Sequence, residues 1–173
     1  GVLVPAYFYP WVDLGGGVWG WNPDLEKLIY AAKSYPTQFV AIINPSNGPG
    51  ETEDAVYRRA IKKMQGASIR VVGYIATTYA SKPFSDARAE IDDWMNLYPD
   101  IEGLFLDEMT NDDVKEHRDY YRQLTEYAHR KKLFPVIGNP GTAVVKSYFD
   151  ENTSDIIVTY ENNSFPDVTT IEG

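Results

Sequence analysis

The sequence predicts an α/β protein, a (β/α)8 TIM-type barrel whose last strands lie outside this chain. Three observations predict it. Six apolar strands alternate with five helices, the pattern of a parallel sheet with right-handed crossovers. Each strand runs into polar or aromatic residues where it stops. Those residues are spread along the whole chain: Tyr7 and Tyr9, Asn44 and Asn47, Thr77 and Tyr79, Asp107 and Glu108, Asn139, and Tyr160 with Glu161. An open doubly wound sheet fits the alternation too, but it gathers site residues at one switch point, whereas a barrel brings every strand end to one mouth. The even spread favours the barrel. Length weighs against it, because a barrel ordinarily takes about 200 residues or more and the chain has 173. Residues 1–173 are therefore read as one barrel domain, incomplete at its carboxyl end.

The elements follow in order. Val2 to Phe8 is a first strand, and the segment after it, with Trp11, Gly15-Gly16-Gly17, Trp19 and Trp21, reads as an aromatic loop. The triple glycine lacks the spacing of a phosphate cradle. Asn22-Pro23-Asp24 opens a helix over Leu25–Ser34 with Leu25, Leu28, Ile29 and Ala32 on one face. Phe39–Ile43 is a second strand, followed by a turn-rich Asn44–Gly50 and a helix over Glu51–Gln65, acidic at its start and basic at its end. Arg70–Ala76 is a third strand. A helix over Phe84–Leu97 presents Ile91, Trp94 and Met95, and Pro99 stops it. The apolar run from Ile101 then ends abruptly on Asp107 and Glu108. A long charged helix over Asn111–Lys132, a strand over Leu133–Ile137, a short helix over Val144–Phe149 and a strand over Asp155–Thr159 complete the pattern.

Composition narrows the function. The formal charge is −9, with 25 acids against 16 bases, so a nucleic acid or an anionic membrane surface is not an expected partner. No apolar run reaches the roughly 18 residues of a membrane span. Gly1 stands directly before an apolar strand, so no targeting segment is visible in the chain. Cysteine is absent, which removes disulfides, zinc thiolates and a cysteine nucleophile. The two histidines, His117 and His129, both fall on the long helix, away from every strand end, so neither a histidine triad nor a histidine metal site is expected.

The acids at the strand ends remain. A buried strand has no use for a carboxylate in its interior, so Asp107 and Glu108 belong at its mouth. Adjacent residues on an extended strand point to opposite sides, so a working pair joins one of them to Glu161. Two carboxylates from different strands are the equipment of glycoside hydrolysis, one as general acid and one as nucleophile or base. Aromatic residues at the mouth would stack on sugar rings, and Asn44, Asn47 and Asn139 would bond hydroxyls, although asparagine in Asn-Pro and Asn-Gly also builds turns. The same three acids could instead hold Mg²⁺ or Ca²⁺.

Four stretches, Val4–Pro10, Ala41–Gly50 with its Asn-Pro-Ser-Asn-Gly-Pro-Gly block, Val72–Ala80 and Gly103–Glu108, resemble the spherulin 4 (spherulation-specific family 4) proteins. The resemblance runs to Tyr160-Glu161, nearly the whole chain. It implies a (β/α)8 glycoside hydrolase that cleaves internal α-1,4 linkages of N-acetylgalactosamine or galactosamine, as in galactosaminogalactan, with no cofactor and no metal. It places Asp107, Glu108 and Glu161 at the acidic site, with Asp107 expected as nucleophile, Glu161 as acid/base and Glu108 in support. Tyr7, Tyr9, Trp11, Asn44, Asn47, Tyr74, Thr77, Asn139 and Tyr160 are the expected substrate contacts. A secreted or cell-surface monomer acting on an amino-sugar polymer is the resulting expectation. The alternative is a carbohydrate-binding or spore-coat structural protein on the same barrel.

Overall fold

The computed structural model describes residues 1–162. Its strands are β1 (Val2–Ala6), β2 (Trp11–Asp13), β3 (Trp19–Trp21), β4 (Phe39–Ile43), β5 (Ile69–Ala76), β6 (Gly103–Asp107), β7 (Val136–Gly138) and β8 (Ile156–Ile157). Its helices are α1 (Pro23–Ser34), α2 (Ala55–Gln65), α3 (Phe84–Leu97), α4 (Lys115–Arg130) and α5 (Ser147–Asp150). Six strands form one sheet in the order β1-β4-β5-β6-β7-β8, and every pairing in it is parallel. That order never reverses. It is the winding of a barrel and not of a doubly wound sheet, which must reverse at a switch point. The sheet curls as a half-barrel with β1 and β8 as its edges among the described residues.

Winding in one direction gives the two faces of the sheet different partners. Alternate residues along each strand pack outward under the helices, among them Ala41, Ile43, Val71, Ile75, Leu104, Leu106 and Val136. The intervening residues, Ile42, Val72, Tyr74, Ala76, Phe105 and Ile137, form a second, smaller core on the concave side. Gly73 shows how tightly the outer layer docks. A Cβ there would lie 2.7 Å from the indole of Trp94, which is fully buried and donates Nε1–H to the Tyr74 carbonyl at 2.9 Å. Glycine at this position lets α3 close on β5.

Several sequence expectations are corrected. The aromatic loop contains an antiparallel hairpin, β2–β3, with Trp11 paired to Trp21 and three positive-φ glycines, Gly15, Gly16 and Gly17, at its turn. Helix α2 starts at Ala55 and not at Glu51, because Asp54 caps it by accepting from Val56 N–H at 2.7 Å. The acids therefore precede the helix, and none lies in its first turn. Helix α4 starts at Lys115, since Asp112 turns back to Val114 N–H and to His117. Strand β1 ends at Ala6, and β7 and β8 are shorter than their apolar runs. No helix among the described residues is long and apolar enough to cross a membrane.

Gly73→Ala is expected to lower stability by about 2 kcal/mol, because the indole beneath it must shift in a close-packed layer. Urea denaturation compared with wild type measures it, and an unchanged midpoint would mean that Trp94 relocates freely.

Candidate active site

Register and alternation assemble the site. Ala76 is paired with Asp107, and Leu106 with Gly138, so Asp107 and Asn139 fall side by side at the carboxyl ends of β6 and β7. Both continue the concave-face series, Asp107 two residues after Phe105 and Asn139 two after Ile137. The Asn139 amide nitrogen donates to Asp107 Oδ1 at 2.8 Å and to Glu161 Oε2 at 3.0 Å. One NH2 group therefore bridges the two carboxylates that the sequence pairs. Oxygens bound to the same nitrogen lie no more than about 6 Å apart.

The bridge is held from both sides. Asn139 is 9% exposed, its amide oxygen accepts from Gly141 N–H at 3.1 Å, and that bond decides which way the amide faces. Gly141, with φ 66°, returns its carbonyl to Glu161 N–H at 3.0 Å. The Asn-Pro-Gly turn after β7 thus fixes the backbone and the side chain of Glu161 together. A donor nitrogen between the acids is the wrong partner for a cation, and no cluster of three or more metal-ligating residues exists among the described residues.

Tyr74 and Tyr7 form the wall beside Asp107. Tyr74 faces Asp107, stacks on Phe105 and meets Tyr7 edge-on with centroids 5.7 Å apart. Burial first, and then the neighbouring carboxylate of Asp107, hold the Tyr74 hydroxyl well above the ordinary tyrosine range. Tyr7 is shifted the same way by burial, then by Asp107 and Glu161, so its phenol lies within the field of both acids. Both tyrosines stay protonated donors at any working pH.

Glu108 sits in the left-handed region with φ 53°, as do Thr78, Tyr79 and Ala80 at the neighbouring strand end. Non-glycine residues take this conformation at a cost of about 1–3 kcal/mol each and hold it only when their surroundings require it. Thr77 is that requirement. Fully buried, its hydroxyl reaches the carbonyls of Asp107 at 2.8 Å and Glu108 at 2.9 Å, while Tyr79 N–H donates to Glu108 O at 2.8 Å. The buried Tyr121 hydroxyl supports Thr77 at 3.2 Å and accepts Thr110 N–H at 3.0 Å.

Some expected contacts fall elsewhere. Thr77 and Tyr74 are buried and position Asp107 instead of facing a substrate. Asn44 is a turn residue, its side chain accepting Gly48 N–H at 2.8 Å, and Asn47 is a left-handed, exposed turn position. Trp11 packs edge-on to Trp21, and the Arg59 guanidinium of α2 lies over both rings, on the flank. Tyr9 turns toward α2, donating to Asp54 Oδ2 at 3.0 Å. Tyr160 is half-buried beside Glu161. Sequence reasoning missed Tyr121, which looks like one more apolar position on a helix.

Comparison with known proteins now places the chain. Residues 1–170 match the family described as "Spherulation-specific family 4". The chain belongs to that family. Within it, the chain is 30% identical over 158 residues to Spherulin-4 of Physarum polycephalum, covering 90% of this chain and 43% of that protein. Among solved structures it is similar to that titled "Crystal Structure of Aspergillus clavatus Sph3 in complex with GalNAc", with TM-score 0.75 and 29% identity over 92% of this chain. It spans 64% of that second chain, so the chain covers less than two thirds of the length of either relative.

Thr77→Val keeps the shape and removes the hydroxyl, so the Asp107 and Glu108 carbonyls keep only their backbone donors, Thr77 N–H and Tyr79 N–H, and the buried Tyr121 hydroxyl loses one partner. It is expected to cost about 1–3 kcal/mol in urea denaturation, and a change below that range would mean Tyr121 supplies the bond instead. A second check uses Tyr57, whose hydroxyl burial pushes up to about 12, with Asp54, Tyr98 and Tyr9 adding to it. A raised pKa in the folded state means full stability below about pH 10, the unfolded value, and loss as pH rises toward 12. The wild-type urea midpoint is expected to fall faster through that window than that of Tyr57→Phe, and parallel curves would refute the assignment.

Proposed function

We propose that the chain carries the acidic centre of a glycoside hydrolase that cuts within an amino-sugar polysaccharide, a polymer of α-1,4-linked N-acetylgalactosamine or galactosamine. One observation carries the reading: Asn139 bridges Asp107 and Glu161 at the concave mouth of the sheet. Membership of the spherulation-specific family and the likeness to a structure in complex with GalNAc support the choice of sugar.

The geometry suggests the roles. Asp107 accepts from Asn139 and stands beside the Tyr74 hydroxyl, which fixes its position as a nucleophile requires. Glu161 is exposed and carried on the loop after β8, where a general acid can reach a leaving oxygen. In this scheme Glu161 gives its proton to the glycosidic oxygen while Asp107 attacks the anomeric carbon, and the C–O bond breaks to release the downstream chain with a free 4-hydroxyl at its new non-reducing end; the new reducing end forms in the second step. Water then gives a proton to Glu161 and displaces Asp107. Oxygens no more than about 6 Å apart favour this two-step, retaining course over the wider separation of inverting pairs. A substrate of this kind is extracellular, which fits a secreted or cell-surface protein.

The test is release of reducing ends from purified galactosaminogalactan by wild type, Asp107→Asn and Glu161→Gln. Release by the wild type that falls at least a hundredfold in each variant is expected. A folded wild type that binds the polymer and releases nothing would establish the carbohydrate-binding alternative.

A further inference from the structure

Where the loop after β4 approaches α2 lies a cleft of about 390 Å3 that shares no lining residue with the carboxylates. Tyr9, Ser46, Gly50, Asp54, Tyr57 and Tyr98 are among the residues that line it. Its polar groups converge on Asp54. Tyr9 donates to Oδ2 at 3.0 Å, and Asp54 N–H donates to the Tyr98 hydroxyl at 3.0 Å. Only Oδ1 is committed to the helix, through Val56 N–H at 2.7 Å.

Two features distinguish this cleft from an ordinary helix cap. Tyr57 is 4% exposed and lines the cleft, yet its hydroxyl makes no hydrogen bond among the described residues. The Tyr98 hydroxyl, on a residue 1% exposed, accepts Asp54 N–H, and its own proton has no acceptor among them either. Among the described residues only the Tyr120 hydroxyl is buried with no partner at all, so of these two phenols Tyr57 opens its hydroxyl to the cleft. Here two sit around one carboxylate in a space open to a small ligand. The nearby cations are engaged elsewhere, Arg58 with Glu53 at 3.0 Å and Arg59 over the rings of Trp11 and Trp21.

A carboxylate with a free lone pair, unspent hydroxyls and aromatic edges suit a ring rich in hydroxyls that also carries a positive charge. An ammonium group gains a charge-assisted bond to Asp54, whereas an acetamide nitrogen carries no charge to offer. We propose that this cleft is a second sugar-binding site, separate from the bond-cleaving carboxylates, which takes an amino-sugar unit with a free ammonium group against Asp54. Tyr7 beside the carboxylates and Tyr9 in the cleft are two residues apart, so their Cα atoms are separated by no more than about 7 Å. One polymer can therefore occupy both places. The inference rests on the amino-sugar polymer reading and adds a preference for partly deacetylated chains.

The experiment is an amide-resonance titration of the isotope-labelled full chain with galactosamine and, separately, with N-acetylgalactosamine. Saturable shifts at Gly50, Asp54 and Tyr57 with galactosamine alone are expected. Asp54→Asn retains an N-cap and loses only the charge, so it should weaken those shifts about tenfold. Tyr57→Phe, which removes only the hydroxyl, should weaken them severalfold. Galactosamine that leaves the cleft resonances unmoved, N-acetylgalactosamine that binds there equally well, or an Asp54→Asn protein that binds like wild type would each overturn the proposal. The titration needs no turnover, so its outcome is independent of whether reducing ends are released.

Discussion

The distinction between the two faces of one parallel sheet governs everything else in the molecule. Helices pack on one face because every crossover has the same hand, and the other face closes over a small apolar cluster of Ile42, Val72, Tyr74, Phe105 and Ile137. That assignment aims Asp107 and Asn139 into the mouth. A slip of one residue in β6 would turn Asp107 under the helices and bring Leu106 to the concave side. The site is thus held by packing energy distributed along the strands, and only its last few ångströms depend on polar contacts.

Those last contacts form two layers. Asn139 sets the spacing of Asp107 and Glu161, and the turn through Gly141 sets the orientation of Asn139. Beneath them, Thr77 and Tyr121 hold the strained turn at Glu108 through backbone carbonyls. Placing rigid groups behind the carboxylates is the arrangement that preorganised sites require. The tyrosine wall adds donors that stay protonated, since burial and the neighbouring acids both oppose their ionisation.

The aromatic residues after β1 divide along a line that a linear reading does not show. Tyr7 stays with the carboxylates, while Tyr9 and Trp11 turn outward over α2. Trp11 and Trp21 are drawn there by Arg59, and Tyr9 by Asp54 and by the ring of Tyr57. What looks like one aromatic rim is two surfaces, and the outward one opens the second cleft.

Local pattern was enough for the alternation of strands and helices, because apolar runs, caps and turn residues act over a few positions. Phe39–Ile43 and Phe84–Leu97 have the bounds their residues predict, and Asp107 and Glu161 stand out because an acid ending an apolar strand must face water or a ligand. Element ends were less legible wherever a side chain captured the backbone, as Asp54 and Asp112 do. Only the tertiary structure decided that Asn139 bridges the acids, that Thr77 and Tyr74 serve Asp107 from beneath, and that Tyr9 meets Asp54. Those partners lie 22 to 45 residues apart in the chain. The identity of a residue limits what it can bond, but the winding of the sheet chooses the partner.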